Sequence, residues 1–155
     1  MSDDSYDGQR ISASTFLFEV DGVEIGQFME VSGLEVEVSV ESIEEGGENG
    51  FSHRLPGRMS WPNITLKRGV TQADNLFIWL NKSSGEQFAK SGNILTRSTA
   101  AITLIGPSKK RLRAWNFVEA FPVKWKGPDF AADSTTAASE QLEIAHHGFT
   151  AKDLK

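Results

Sequence analysis

The chain has 155 residues and a formal net charge of −5, with 39% hydrophobic and 24% charged residues, a balance that fits one soluble globular domain and excludes a disordered one. It holds no cysteine, which excludes disulfides, thiolate catalysis and cysteine-based zinc sites. Ten phenylalanines and four tryptophans are enough to fill a sizeable core or interface.

Residues 1–12 read as a flexible, polar and acidic arm. They lack the basic start and apolar run of a secretory signal, and no later stretch approaches the about 18–20 apolar residues of a membrane helix. Thr15-Phe-Leu-Phe-Glu-Val20 and Val23-Glu-Ile-Gly26 are strand-like and flank Asp21-Gly22, a strong hairpin turn signal because both residues tolerate positive φ. A second hairpin is expected at Ser32-Gly33, leading into a strand over 34–41. There Val36, Val38 and Val40 alternate with Glu35, Glu37, Ser39 and Glu41, which predicts one buried face and one acidic face.

Glu44-Glu45-Gly46-Gly47-Glu48-Asn49-Gly50 breaks the alternation, and Leu55-Pro56-Gly57-Arg58 and Trp61-Pro62-Asn63 follow. The expectation is an excursion over about 43–62, a loop or hairpin with little regular structure. Loops of that length in a compact domain are usually functional or interface-forming. Ile64-Thr-Leu-Lys-Arg68 resumes as a strand. One helix is expected over about 72–83, capped by Thr71 and Asp74 and closed by Gly85, with Leu76, Phe77 and Leu80 as its core anchors. Strands are expected over 95–105 and 111–123, then a loop over 124–129, a last strand over 139–146 and a tail at 151–155. About seven strands and one helix make the fold class mainly β, a β-sandwich or open barrel with a flanking helix, in a single domain over 13–150.

Charge is segregated along the chain. Ile11 to His53 holds ten acidic residues and no Lys or Arg, whereas Arg54 to Lys126 holds thirteen basic residues against Asp74, Glu86 and Glu119. Two readings stay open: the fold mixes the halves and the charges solvate its surface, or acidic and basic surfaces of neighbouring copies meet. A nucleic-acid module fits poorly, since the basic residues are dispersed and the sequence pI is about 5.2. Trp115 and Phe117 with Arg111 and Arg113 have the makings of a base-stacking platform, but a strand face covered by the helix or a neighbouring subunit is the favoured reading.

No enzymatic constellation emerges. There is no G-x-S-x-G, S-x-x-K or Walker element, and Glu35, Glu37 and Glu41 share one solvated face instead of the contrasting environments a carboxylate pair needs. His146 and His147 are adjacent on a strand and point to opposite sides, and His53 has no matching ligands, so no metal or cofactor is expected.

Four stretches, in order, carry a family resemblance: FLFEVDGVEIGQFMEVSGLEVEVSV from Phe16, the segment Gly46 to Leu80 with LPGRMSWPNITLKRGVTQADNLFIWL at its heart, RAWNFVEAFPVKWKGPDF from Arg113, and EQLEIAHHGF from Glu140. Together they resemble the tail tube proteins of contractile phage tails and extracellular contractile injection systems. The resemblance implies a tail-tube-like β-barrel with a flanking helix, hexameric rings and their stacking into a hollow tube. It also implies a lumen lined by sheets from all copies and a sheath that contracts to drive the tube through a target envelope. His146-His147-Gly148 and Gly106-Pro107-Ser108 depart from the family's usual local patterns.

The resemblance implies as partners other copies of the chain, with sheath, baseplate or spike and tape-measure proteins, and DNA or protein cargo. It implies no membrane insertion and no sequence-specific nucleic-acid binding. Assembly is then expected in a bacterial cytoplasm, with a phage tail or contractile particle as the final location. Glu35, Glu37, Ser39 and Glu41, with Gln141 and Glu143 of the last strand, are the expected lumen lining. Glu44, Glu45, Gly46, Gly47, Glu48, Asn49, His53, Arg54, Leu55, Pro56 and Arg58 are the expected subunit or ring interface. A type VI-secretion-like ring protein and a monomeric β-sandwich ligand-binding module are the alternatives.

Overall fold

The structure of the protein, a computed structural model, describes residues 15–44, 52–70, 75–83, 90, 92, 98–129, 132 and 138–154. Asp21 and Gly22 take φ of 50° and 79° and turn β1 (Thr15–Val20) into β2 (Val23–Phe28), as their chemistry demands. After Met29 the chain continues as β3 (Glu30–Ser32), then β4 (Glu37–Glu44), β5 (Ser52–Ser60), β6 (Ile64–Gly69), α1 (Asn75–Ser83), β7 (Ser98–Ile105), β8 (Arg111–Lys126), β9 (Ser139–Ala145) and β10 (Phe149–Asp153).

Eight strands form one antiparallel sheet in the order β2-β1-β7-β8-β9-β6-β3, with β10 beside the first half of β8. The ends of that order are two halves of one bent segment. Met29 alone separates β2 from β3, and its N–H donates to the Lys67 carbonyl at 2.8 Å, carrying the ladder from one edge to the other. The sheet thus curls into a barrel, which removes the open edges that would invite aggregation.

Alternation on the strands fills the interior. Phe18 on β1, Ile64 and Leu66 on β6, Ile102 on β7, Phe117 on β8, and Leu142 and Ile144 on β9 are all fully buried. The helix lies against β2 and β8 and sends Leu76 and Trp79 into this core, where the Trp79 ring meets Phe18 edge-on at 5.5 Å. Leu80 is half-buried against the same cluster. Phe77, expected as a third anchor, is 39% exposed; its ring leans on Trp125 at 5.0 Å while Trp79 takes the inward position. Thr71, Asp74 and Gly85, the expected caps, lie outside the described residues.

Several local expectations are corrected. Ser32-Gly33 is no hairpin turn: β3 pairs with β6, whereas β4 leaves the barrel to pair with β5 alone. Gly33 has φ 90° and sits against the Asn63 carbonyl, where any Cβ would collide, so the glycine serves a close crossing of two chain segments. The expected loop at Lys124-Trp125-Lys126 is the last part of β8. That strand bends at Glu119 (φ 52°) and changes register around Pro122, passing from its β7 partner to β9; a proline beside a bulge does not end a strand. The expected C-terminal tail includes the end of β10, paired to β8 from Phe149↔Phe117 to Asp153↔Arg113.

Candidate functional site

The feature that stands out is the β4–β5 ribbon. Its register runs from Glu37↔Ser60 and Val38↔Met59 to Glu44↔Ser52, with a bulge opposite Ser39, whose hydroxyl accepts the Arg58 N–H at 2.8 Å. Cross-strand partners share a face, so Val38, Val40, Pro56, Met59 and Arg54 lie on one side. Glu37, Ser39, Glu41, Ile43, Leu55 and His53 lie on the other.

The alternation read from sequence is present, but the burial expected with it is not: Val36, Val38 and Val40 are 47%, 41% and 56% exposed. The excursion over 43–62 is not irregular either, because residues 52–60 form β5. Pro56 and Gly57 hid that strand. Both are tolerated on a two-stranded ribbon, where each strand is an edge and a missing N–H leaves no ladder partner stranded. The ribbon forms its own sheet and makes no substantial contact with any other described element. Glu35 lies just before β4 and is exposed. Glu45, Gly46, Gly47, Glu48 and Asn49 lie outside the described residues, as does the Glu44 side chain.

The ribbon's root is clamped to the barrel. The Trp61 ring meets Phe149 at 5.1 Å and His146 at 6.0 Å, and Phe117 completes the aromatic group. His146 is 6% exposed and hydrogen-bonded on both ring nitrogens. The Gly148 N–H donates to Nδ1 at 3.0 Å, so Nε2 carries the proton and donates to the Pro62 carbonyl at 3.2 Å. Asn63 donates to Glu143 Oε1 at 2.9 Å. The neighbouring His147 points outward, with Nδ1 2.9 Å from Glu119.

Burial pushes the His146 pKa below its ordinary 6.5, and His147 nearby pushes the same way, against the Pro62 carbonyl, which accepts from Nε2 and favours the charged ring. The sign follows from that direction. Above pH 6.5 the ring is neutral in folded and unfolded chains alike; below it the unfolded chain takes up a proton first, so stability falls as pH drops towards the folded value. Urea unfolding at pH 7.5 and 5.5 should show the loss in the wild type, and His146→Gln should lose less over the same interval. Equal losses would remove His146 from the linkage.

On the barrel, Gln141 and Glu143 point away from the core that Leu142 and Ile144 occupy. Lys67 and Lys126 flank Gln141 across the register, and Thr65 and Lys124 flank Glu143. This polar face belongs to the main sheet and the glutamate face to the ribbon, so the two sets of expected lumen residues sit on different sheets. Sequence reading missed the buried ion pair between Arg68 on β6 and Glu140 on β9, whose exposures are 3% and 6%. Their places in the inward alternation of Ile64-Leu66-Arg68 and Glu140-Leu142-Ile144 were the available signal. Among the described residues no group of three or more His, Cys, Asp or Glu could hold a metal ion, and no helix is long and apolar enough to cross a membrane.

Residues 12–150 match the family model of the T4-like virus tail tube protein gp19. The chain belongs to the tail tube protein family. No curated protein matches the chain by sequence. Among solved structures, it is similar to a chain of the PVC sheath-tube complex of an extracellular contractile injection system in the extended state. Identity there is 25% over 96% of this chain and 95% of that one, with a TM-score of 0.77. A chain of the anti-feeding prophage cap, described as its tube terminating cap, is 25% identical over 98% and 97% with a TM-score of 0.76. A type six secretion system protein shares the fold at 11% identity, covering 88% of this chain and 82% of that one with a TM-score of 0.54. The family model spans residues 12–150 and the injection-system likeness comes with 25% identity, whereas the type VI likeness is one of fold alone; the role is that of a structural inner-tube subunit of a contractile, phage-tail-like particle.

Proposed function

We propose that this tail tube protein acts only as assembled hexameric rings stacked into a hollow conduit, with the ribbon as the principal contact between copies. The observation that carries the reading is the state of the ribbon. An isolated two-stranded hairpin is marginal in water. Here its apolar face is bare, and it is anchored to the barrel at its root, Gly33 and Trp61–Asn63. Neighbouring copies supply the missing cover, and the glutamate face with Glu37, Ser39 and Glu41 turns to the lumen beside Gln141 and Glu143, with Glu35 at its root.

A lumen of charged and amide groups keeps cargo from adhering, and carboxylates repel phosphate. The contact residues are Glu44 to Asn49, His53 to Pro56, and Arg58. Sheath, baseplate or spike and tape-measure proteins are the further partners, with DNA or protein as cargo. The work is mechanical: no catalysis, no cofactor, no membrane insertion and no sequence-specific nucleic-acid binding. Assembly takes place in the bacterial cytoplasm.

Replacing residues 44–58 by a short Gly-Ser linker tests this. The variant should keep the circular dichroism of the folded barrel and form no rings or tubes by negative-stain microscopy. Normal tubes from it would overturn the reading.

A further inference from the structure

A groove of about 180 Å³ opens between α1 and the β1–β2 hairpin. Its apolar walls include Val23 and Ile78, which are 57% and 55% exposed, and Ile25 and Trp79, which are buried. The indole N–H of Trp79 is buried without an acceptor among the described residues. Asp21 stands on one wall and Lys82 on the other. The groove is therefore a concave, mainly apolar site with a carboxylate at its edge.

We infer that this groove receives the valine face of the β4–β5 ribbon from a second copy of the chain. The inference rests on the tube reading above and adds to it the receiving surface. Three features argue for that occupant. The ribbon carries a row of bare apolar side chains, Val38, Val40 and Met59, each more than 40% exposed. It matches the groove in polarity. The charges also agree. Arg54 is the charged residue on the valine face whose side chain is described, placed there by its Ser42 partner, and Asp21 is the carboxylate of the groove. Finally, strands of eight and nine residues project roughly 26 Å at about 3.3 Å per residue, far enough to cross to a neighbour.

The contact joins two different patches of identical subunits. It is heterologous, so it propagates until a ring closes or a stack extends. Lys82 flanks the site with a flexible stem that covers apolar surface while its ammonium stays in water.

The absence of cysteine makes the test direct. Val40→Cys is placed in one copy and Ile78→Cys in another, and the two are coexpressed and oxidised. A matched reference pairs Val40→Cys with Val118→Cys, since Val118 is 55% exposed like Ile78 but lies on β8. The expected result is rings or tubes in which the 40–78 disulfide forms severalfold more than the 40–118 disulfide, and only between copies. In addition, Ile78→Asp should abolish assembly while leaving the melting temperature of the subunit unchanged, because the side chain is exposed. Tubes without a 40–78 preference would overturn this inference and leave the tube reading intact. A 40–78 disulfide within single chains carrying both cysteines, at high dilution, would overturn it by placing the ribbon on its own barrel. No assembly and no disulfide would overturn both.

Discussion

Glu140→Ala is expected to destabilise the subunit by about 3–5 kcal/mol, the usual cost of leaving one member of a buried ion pair without its partner. Arg68 and Glu140 face each other across the β6–β9 register, and each is at least nine-tenths buried. The guanidinium lies 5.0 Å from the centre of the Phe28 ring, with Gly26 leaving room for it on β2. Without the carboxylate the buried guanidinium loses its counter-charge. At about 2–4 °C per kcal/mol for a domain of this size, the melting temperature should fall by roughly 6–20 °C. Substituting both partners, Arg68→Met with Glu140→Leu, should recover most of the loss, because hydrophobic residues of similar volume often replace a buried pair without penalty. Urea unfolding of the wild type and both variants decides the matter. A Glu140→Ala loss below about 1 kcal/mol, the range of a surface pair, would mean that water reaches the site.

The pair also shows what a single sequence conceals. Alternation placed Ile64, Leu66, Leu142 and Ile144 inward, and the same alternation placed Arg68 and Glu140 inward too. Charge alone argues for the surface, and only the register that sets them opposite each other makes burial affordable. The ribbon is the complementary case. Period-two patterning separated Val38 and Val40 from Glu37 and Glu41, yet patterning records which face is apolar and not what covers it. A strand that buries its face on a neighbour is indistinguishable from one that buries it at home.

Local chemistry was legible where it acts over two or three residues, as at Asp21-Gly22. It misled at Ser32-Gly33, where the glycine serves a close approach to Asn63 instead of a turn. Barrel closure through Met29 could not be read, because it depends on a bend and a pairing forty residues away. The clamp at His146 likewise joins β9 to Pro62 across the chain.

Leu76→Ala is expected to cost the isolated subunit about 2–5 kcal/mol, and Phe77→Ala far less, although the two are neighbours on one helix. Helical geometry turns adjacent side chains by about 100°, so they cannot share a face. Leu76 points into the barrel and is fully buried among core residues. Removing its branched end leaves a cavity that the close-set rings of Phe18, Phe28 and Trp79 cannot collapse to fill. Phe77 points to the side, touches Trp125 edge-on and keeps 39% of its surface in solvent. Its truncation forfeits part of an aromatic contact worth about 0.5–1.5 kcal/mol and creates no closed cavity. The measurement is thermal and urea unfolding of unassembled protein, since in a ring or tube the contacts between copies would add to the apparent stability. A Leu76→Ala subunit that melts with the wild type and fails only in assembly would show that α1 belongs to the interface instead of the barrel core. The reverse order, Phe77→Ala costing more than Leu76→Ala, would require α1 to be rotated by about a quarter turn, which would also carry Ile78 out of the groove beside β2.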